Sequence, residues 1–331
     1  MKYWKKLLPW IGPVAFCVAL FILYREFQSL HPREILAAVR AVSVDKVLVA
    51  IGFTALSYLM LGLSDLLAVR YAGLDLSARK VIPAAFTAFA FSNSAGNPIL
   101  TATPLRFRLY SSMGADADGL ARIVTFGYLT TWIGIFIAGG AAFVWYAPPL
   151  PASIPLPFET ARIPGALFLG AGIAWIAIAA MRTAPIRIRS LAFPSPGLRL
   201  SLAQVAVSAV DWIASALALW VLLPEDLRIA FVPFLGVFFL GQVFGIASQV
   251  PGGFGVFETV VGLSLATTGN APAVFGSLLL FRLVYYVFPL LCATSFLGLH
   301  EFSRRKEVIG RVGRQLGDWV SDAVPHVLGL L

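Results

Sequence analysis

The residues with the most chemical potential cluster around one interruption, Gly245–Glu258, which reads G-I-A-S-Q-V-P-G-G-F-G-V-F-E. Pro251 lacks a backbone N–H, and Gly252 and Gly253 are poor helix formers, so a helix should break there. In a bilayer such a break is tolerated only where protein or a wet cavity covers the freed backbone groups. Glu258 follows at once in an otherwise apolar run. Further on, Arg282 sits in S-L-L-L-F-R-L-V-Y-Y-V-F-P, with Tyr286 one turn beyond it. An arginine inside a membrane helix costs at least about 2.5 kcal/mol on insertion scales and so demands a cavity or a partner. The carboxylates on offer are Glu258, Asp211 in V-S-A-V-D-W-I-A-S, and Asp65. Two readings stand. Arg282 pairs structurally with Glu258 or Asp211, or it binds an anionic headgroup while the carboxylate balances charge or holds an amine. Asp65, near the end of its helix, is expected to pair with Arg70.

A second constellation lies at Ser92–Pro98, S-N-S-A-G-N-P, followed by T-P-L-R-F-R-L-Y. Asn97 before Pro98 is a helix N-cap with proline at the first helical position. Asn93 and Asn97 either satisfy their own backbone or, with Gly252 and Gly253 at the other break, present N–H groups to a phosphate at a helix N-terminus. Arg106 and Arg108, two apart, point to opposite sides of a helix and do not clamp one group together. Arg106 shares a face with Tyr110. Both arginines are read either as snorkelling to headgroups or as ligands.

The elements that position these groups are membrane helices. The 331 residues are 59% hydrophobic and 12% charged, about half the charge of a soluble domain. The formal charge of +9 falls in short clusters between apolar runs, a topology signal and not a nucleic-acid footprint. Cys17 and Cys292 sit in separate apolar runs, and His31, His300 and His326 are far apart, so neither disulfide nor metal is expected. The chain lacks the nucleotide-binding pattern G-x-x-x-x-G-K-[ST]. No cofactor is expected.

Apolar runs long enough to span are Leu7–Tyr24, Val47–Val69, Leu120–Tyr146, Pro164–Met181, Leu198–Leu222 and Ala271–Leu299. The first is read as a retained membrane helix. Stretches 81–113 and 231–268 are each interrupted. Basic clusters at Lys2–Lys6, Arg70–Lys80, Arg182–Arg199 and Arg304–Lys306 are placed in the cytoplasm, as are both termini, and the uncharged loop Ala147–Thr160 outside. Arg25–Lys46, predicted external and able to form a surface helix, dissents with four basic residues. Counting crossings then makes each interrupted stretch leave and return on one side. Val81–Ser92, about 18 Å as a helix, is too short to cross. The expected fold is an all-α polytopic integral membrane protein, with six full transmembrane helices plus two broken re-entrant hairpins in an inverted-topology repeat. Residues 1–46 form the N-terminal helix and linker, 47–300 the transmembrane domain, and 301–331 a cytoplasmic tail.

Together, V-P-G-G-F-G-V-F-E (Val250–Glu258), F-R-L-V-Y-Y-V-F-P (Phe281–Pro289), the Asn93–Tyr110 block and the Asp211-Trp212 helix resemble the lysylphosphatidylglycerol synthase transmembrane-region family of flippase-like proteins, over roughly residues 45–300. The resemblance implies a bacterial inner-membrane protein that translocates a phosphate-bearing or aminoacylated lipid. With only some thirty residues after the last helix, a stand-alone member without the synthase domain is expected, and not an enzyme. The rival readings are a membrane-embedded transferase on a lipid-linked sugar or amino acid, and an accessory subunit. The expected partner is a membrane lipid, with a homo-oligomer or a separate lipid-modifying enzyme left open and no nucleic acid.

Overall fold

The computed structural model describes residues 32–95, 98–146, 148, 160–182, 184–188, 191–266 and 271–298. The expected span Leu7–Tyr24, residue Asn97 and the tail 301–331 lie outside them.

The described chain is helical apart from one small ribbon. A surface helix α1 (Pro32–Ala41) leads into α2 (Val44–Tyr71). The first hairpin follows as α3 (Ala78–Ala95) and α4 (Pro98–Ser111). Next come α5 (Ala117–Trp145) and α6 (Arg162–Met181). The three-residue strands β1 (Ile186–Ile188) and β2 (Leu191–Phe193) pair antiparallel in the Arg-bearing loop. Helix α7 (Gly197–Leu222) precedes the second hairpin, α8 (Phe231–Ala247) and α9 (Val256–Ala266). Helix α10 (Ala271–Gly298) completes the set. Five helices, α2, α5, α6, α7 and α10, are long and apolar enough to cross a membrane, and they coincide with five of the six expected spans.

Their faces explain the packing. On α2 the buried residues include Thr54, Ser57, Tyr58, Ser64 and Asp65, whereas Leu48, Leu56 and Leu59 are exposed. This is the reverse of a soluble helix: leucines face outward, where lipid is as apolar as any core, and polar groups turn inward to find partners. Helix α7 does the same with Ser201, Gln204, Ser208 and Ser215 inside. The two polar faces meet, and α2 against α7 is the most extensive helix pairing in the described fold. The second hairpin packs on aromatic surface, where Phe234 and Phe238 of α8 join Phe257 of α9 and Phe281 of α10. Helix α6 lies at the periphery, with Leu167, Ile173 and Ile178 exposed. Glycines hold it close to α5, since a Cβ on Gly165 would strike Phe143 and one on Gly172 would strike Ile137.

One expectation needs correcting. Helix α3 begins before Val81 and runs on through Ser92, Asn93 and Ser94 to Ala95. Eighteen residues give about 27 Å, so this arm is longer than the sequence suggested. Burial of Ser92 and the hydrogen bond from Ser94 Oγ to Ala90 O (3.0 Å) keep these turn-forming residues helical. Helix α4 does start at Pro98 as expected.

Candidate functional site

The break at Gly245–Glu258 is built from local hydrogen bonds. Helix α8 stops at Ala247, and Ser248 Oγ donates to Gly245 O (2.7 Å) while accepting from Val250 N–H (3.3 Å). The chain then turns through left-handed backbone at Gln249, Gly252, Gly253 and Gly255, with φ of 58°, 61°, 61° and 82°. Glycine adopts that region without the steric cost a side chain imposes, which accounts for three of the four residues. Gly255 precedes α9, and its N–H donates to Glu258 Oε2 at 2.7 Å. That is the return half of a capping box, with the carboxylate three positions on holding the N-cap amide. One oxygen of Glu258 is thereby fixed by the backbone.

The other oxygen, Oε1, accepts from Arg282 Nε. Arg282 Nη1 donates to Gly252 O at 2.8 Å. Its guanidinium lies 4.4 Å over the Tyr286 ring, with Phe254 and Phe257 on further sides. Arg282 is 8% exposed, and Nη2 is buried with no hydrogen-bond partner among the described residues. So the charge of Arg282 is balanced, yet its donor fork is not filled. A π turn, Leu283–Val287, follows directly. Its wider loop places more residues in one turn, which lets the neighbours Tyr285 and Tyr286 both face inward.

The two hairpin tips meet at this point. A Cβ added to Gly252 would lie 3.2 Å from Asn93 O and 3.6 Å from Arg282 Nη1. Asn93 is in the last turn of α3, where carbonyls lack intrahelical partners and carry the negative end of the helix dipole. Hence a helix C-terminus, and not only the N-termini the sequence suggested, lies against the tip that Arg282 holds through Gly252. The Asn93 side chain reaches Tyr58 OH at 3.5 Å.

Asp211 does not join Arg282. Ser57 Oγ donates to Asp211 Oδ1 (2.5 Å) and lies 2.7 Å from Tyr285 OH, and Tyr58 OH donates to Tyr285 O (3.2 Å). Of the two structural pairings left open, the fold selects Arg282–Glu258. Helix α10 thus carries two polar systems, Arg282 and Tyr286 towards α9 and Tyr285 towards α2 and α7.

Arg106 is corrected as well. It neither snorkels nor faces the hairpin tips: Nε and Nη2 bond Asp65 Oδ2 and Oδ1 at 3.0 and 2.8 Å, and Tyr110 OH donates to Oδ2 at 2.6 Å. Asp65 is fully buried and is not the partner expected for Arg70. Arg106 also stacks 4.4 Å over Phe89. Arg108 is exposed on the far side of α4. Of the sequence candidates, Arg282, Glu258, Gly252, Gly253, Tyr286 and Asn93 come together, and Asp211, Arg106 and Arg108 do not. Sequence reasoning missed Ser57, Tyr58 and Tyr285. Their signal was available, since polar residues at 54, 57, 58, 64 and 65 mark one face of an apolar helix. Among the described residues, no three His, Cys, Asp or Glu side chains are grouped to hold a metal ion.

No family model matches the chain. The protein slr0712 of Synechocystis is 34% identical over 311 residues, 92% of this chain and 96% of that protein. The inner membrane protein YbhN of Escherichia coli is 30% identical over 306 residues, 91% and 94% of the two chains. Phosphatidylglycerol lysyltransferase of Staphylococcus aureus is 25% identical over 291 residues, covering 85% of this chain but 33% of the lysyltransferase. The resemblance read from the motifs is therefore found again over most of the chain's length.

Proposed function

Because the chain belongs to the family of the inner membrane protein YbhN, we propose that it is a lipid translocator of the bacterial inner membrane. It binds the phosphate of a lipid headgroup, plain or aminoacylated, at Arg282. The observation that carries this reading is the unfilled Nη2 of Arg282, buried where the two hairpin tips meet. A guanidinium matches phosphate with parallel donors. A headgroup oxygen would complete the fork, with Tyr286 below the cation and the acyl chains left in the bilayer. Glu258, already tied to Gly255, would balance the charge or take an amine. The similarity to part of phosphatidylglycerol lysyltransferase adds support, since that protein's name places it in phospholipid chemistry.

In this reading the protein is not an enzyme, both termini are cytoplasmic, and the two hairpins are the related halves of an inverted repeat. The full ion pair to Glu258 favours a rival, in which the break is a packing joint of an accessory subunit. Native mass spectrometry with lipid extraction on gently purified wild type and Arg282→Ala separates the two. The translocator reading expects one lipid class retained by wild type and lost from a folded variant. Bulk lipid in equal amounts on both would overturn it in favour of the joint. Turnover of a labelled aminoacyl or sugar donor by the pure protein would instead make it a transferase.

A further inference from the structure

Helix α7 carries Ser201, Gln204, Ser208, Asp211 and Ser215 at alternating spacings of three and four, which keep them on one face. The serines and Gln204 are buried. Gln204 Nε2 donates to Thr130 Oγ1 of α5 at 2.8 Å. Gln204 Oε1 and Ser201 Oγ have no hydrogen-bond partner among the described residues. A polar column therefore rises from Ser201, two residues beyond Arg199, to Asp211, about 15 Å at 1.5 Å per residue.

The groups facing Asp211 are of one kind. Helix α2 contributes Ser57, hydrogen-bonded to it, and Tyr58. Helix α10 contributes Tyr285, with Tyr286 and the Arg282–Glu258 pair on its other side. From α5, Thr131 and Gly134 lie against Trp212 and Ser208, and neither ionises. Among the described residues no cation lies within ion-pair distance of Asp211. Asp65 and Glu258, by contrast, each have an arginine. Asp211 is half-buried in a membrane-spanning helix, and an acidic side chain held there without a counter-ion is the kind of group from which proton relays are built. The neighbours suit both protonation states of Asp211. Ser57 can donate to the carboxylate while accepting from Tyr285, or accept from the carboxylic acid while donating to the Tyr285 oxygen.

We propose that Asp211 is a proton-binding site, loaded from water through the Ser201–Gln204–Ser208 column, and that its proton is the coupling ion of transport. The coupling half rests on the translocator reading, whereas the proton site does not. During a cycle the proton moves from water to an Asp211 oxygen, and it leaves to water from the alternate conformation. No other bond changes.

Infrared spectroscopy of purified wild type and Asp211→Asn tests the site. The wild type should show the carbonyl stretch of a protonated carboxyl group that shifts in D2O, disappears at high pH and is missing from the variant. Its absence from wild type at every pH at which the protein stays folded overturns the proposal, even if the variant fails to fold. Coupling is tested in vesicles of phosphatidylglycerol and phosphatidylethanolamine holding a luminal pH dye and fluorescent phosphatidylglycerol. With one proton coupled, a gradient of about one pH unit should bias lipid distribution about tenfold in wild type and not in Asp211→Asn. Gln204→Leu should slow the response while keeping the infrared band. Lipid movement that ignores the gradient in wild type overturns coupling and leaves the translocator standing. Absence of lipid movement in wild type overturns the translocator reading and coupling together, and the infrared band alone then decides whether Asp211 binds a proton.

Discussion

Gly252 and Arg282, thirty positions apart, are joined by a 2.8 Å hydrogen bond from Nη1 to the glycine carbonyl, which ties the tip of the second hairpin to α10. The same glycine has φ 61° and leaves only 3.2 Å between a would-be Cβ and Asn93 O. Gly252→Ala should therefore lose about 1–2 kcal/mol from left-handed backbone alone, plus the cost of parting the tips. Thermal unfolding read by fluorescence size-exclusion should show a lowered midpoint together with reduced lipid retention. Gly52→Ala, in mid-helix with nothing within 4 Å of the added methyl, should not lower the midpoint and should leave lipid retention at the wild-type value.

The Arg282–Glu258 pair should separate stability from function. Glu258→Gln leaves a guanidinium buried without its counter-charge, and removing one partner of such a pair costs about 3–5 kcal/mol. Arg282→Gln combined with Glu258→Gln removes both charges and should recover most of that loss. The double variant should nonetheless retain no lipid by native mass spectrometry. Recovery of lipid binding along with stability would show that the pair is structural only.

Asp65 holds Arg106 through both carboxylate oxygens and accepts from Tyr110 as well. Asp65→Asn should destabilise by about 3–5 kcal/mol, because Arg106 is left charged and buried. Tyr110→Phe should cost less, about 1.5–3 kcal/mol, for one hydrogen bond to a charged group. Equal midpoint shifts for the two variants would argue that the charge is compensated elsewhere.

Helices α5 and α7 touch where Gly134 meets Ser208 and Trp212, so close that an added Cβ would overlap Ser208 Oγ. Gly134→Ala should destabilise by about 1–3 kcal/mol through overpacking. Adding Ser208→Gly should restore part of the loss, and a double-mutant cycle on unfolding midpoints measures it. Strict additivity of the two changes would deny the contact.

How much of this was legible in the sequence differs from element to element. The spans α2, α5, α6, α7 and α10 could be read because about 20 apolar residues in a row suffice to cross the hydrocarbon, a property each segment carries alone. So could the break at Pro251-Gly252-Gly253, since proline and glycine disfavour helix whatever surrounds them. The length of α3 could not: Ser92, Asn93 and Ser94 favour turns locally, and burial among neighbouring helices overrode them. Partner choice was likewise out of reach. Glu258 and Asp211 were interchangeable as counter-charges for Arg282 in the sequence, and Asp65 was expected to pair with Arg70, whereas the fold gives Glu258 to Arg282, Asp65 to Arg106 and Asp211 to the Ser57 hydroxyl. Those contacts bridge 24, 41 and 154 positions. Helical periodicity fixes the face on which a residue lies, but only the packing of one helix on another decides what covers that face.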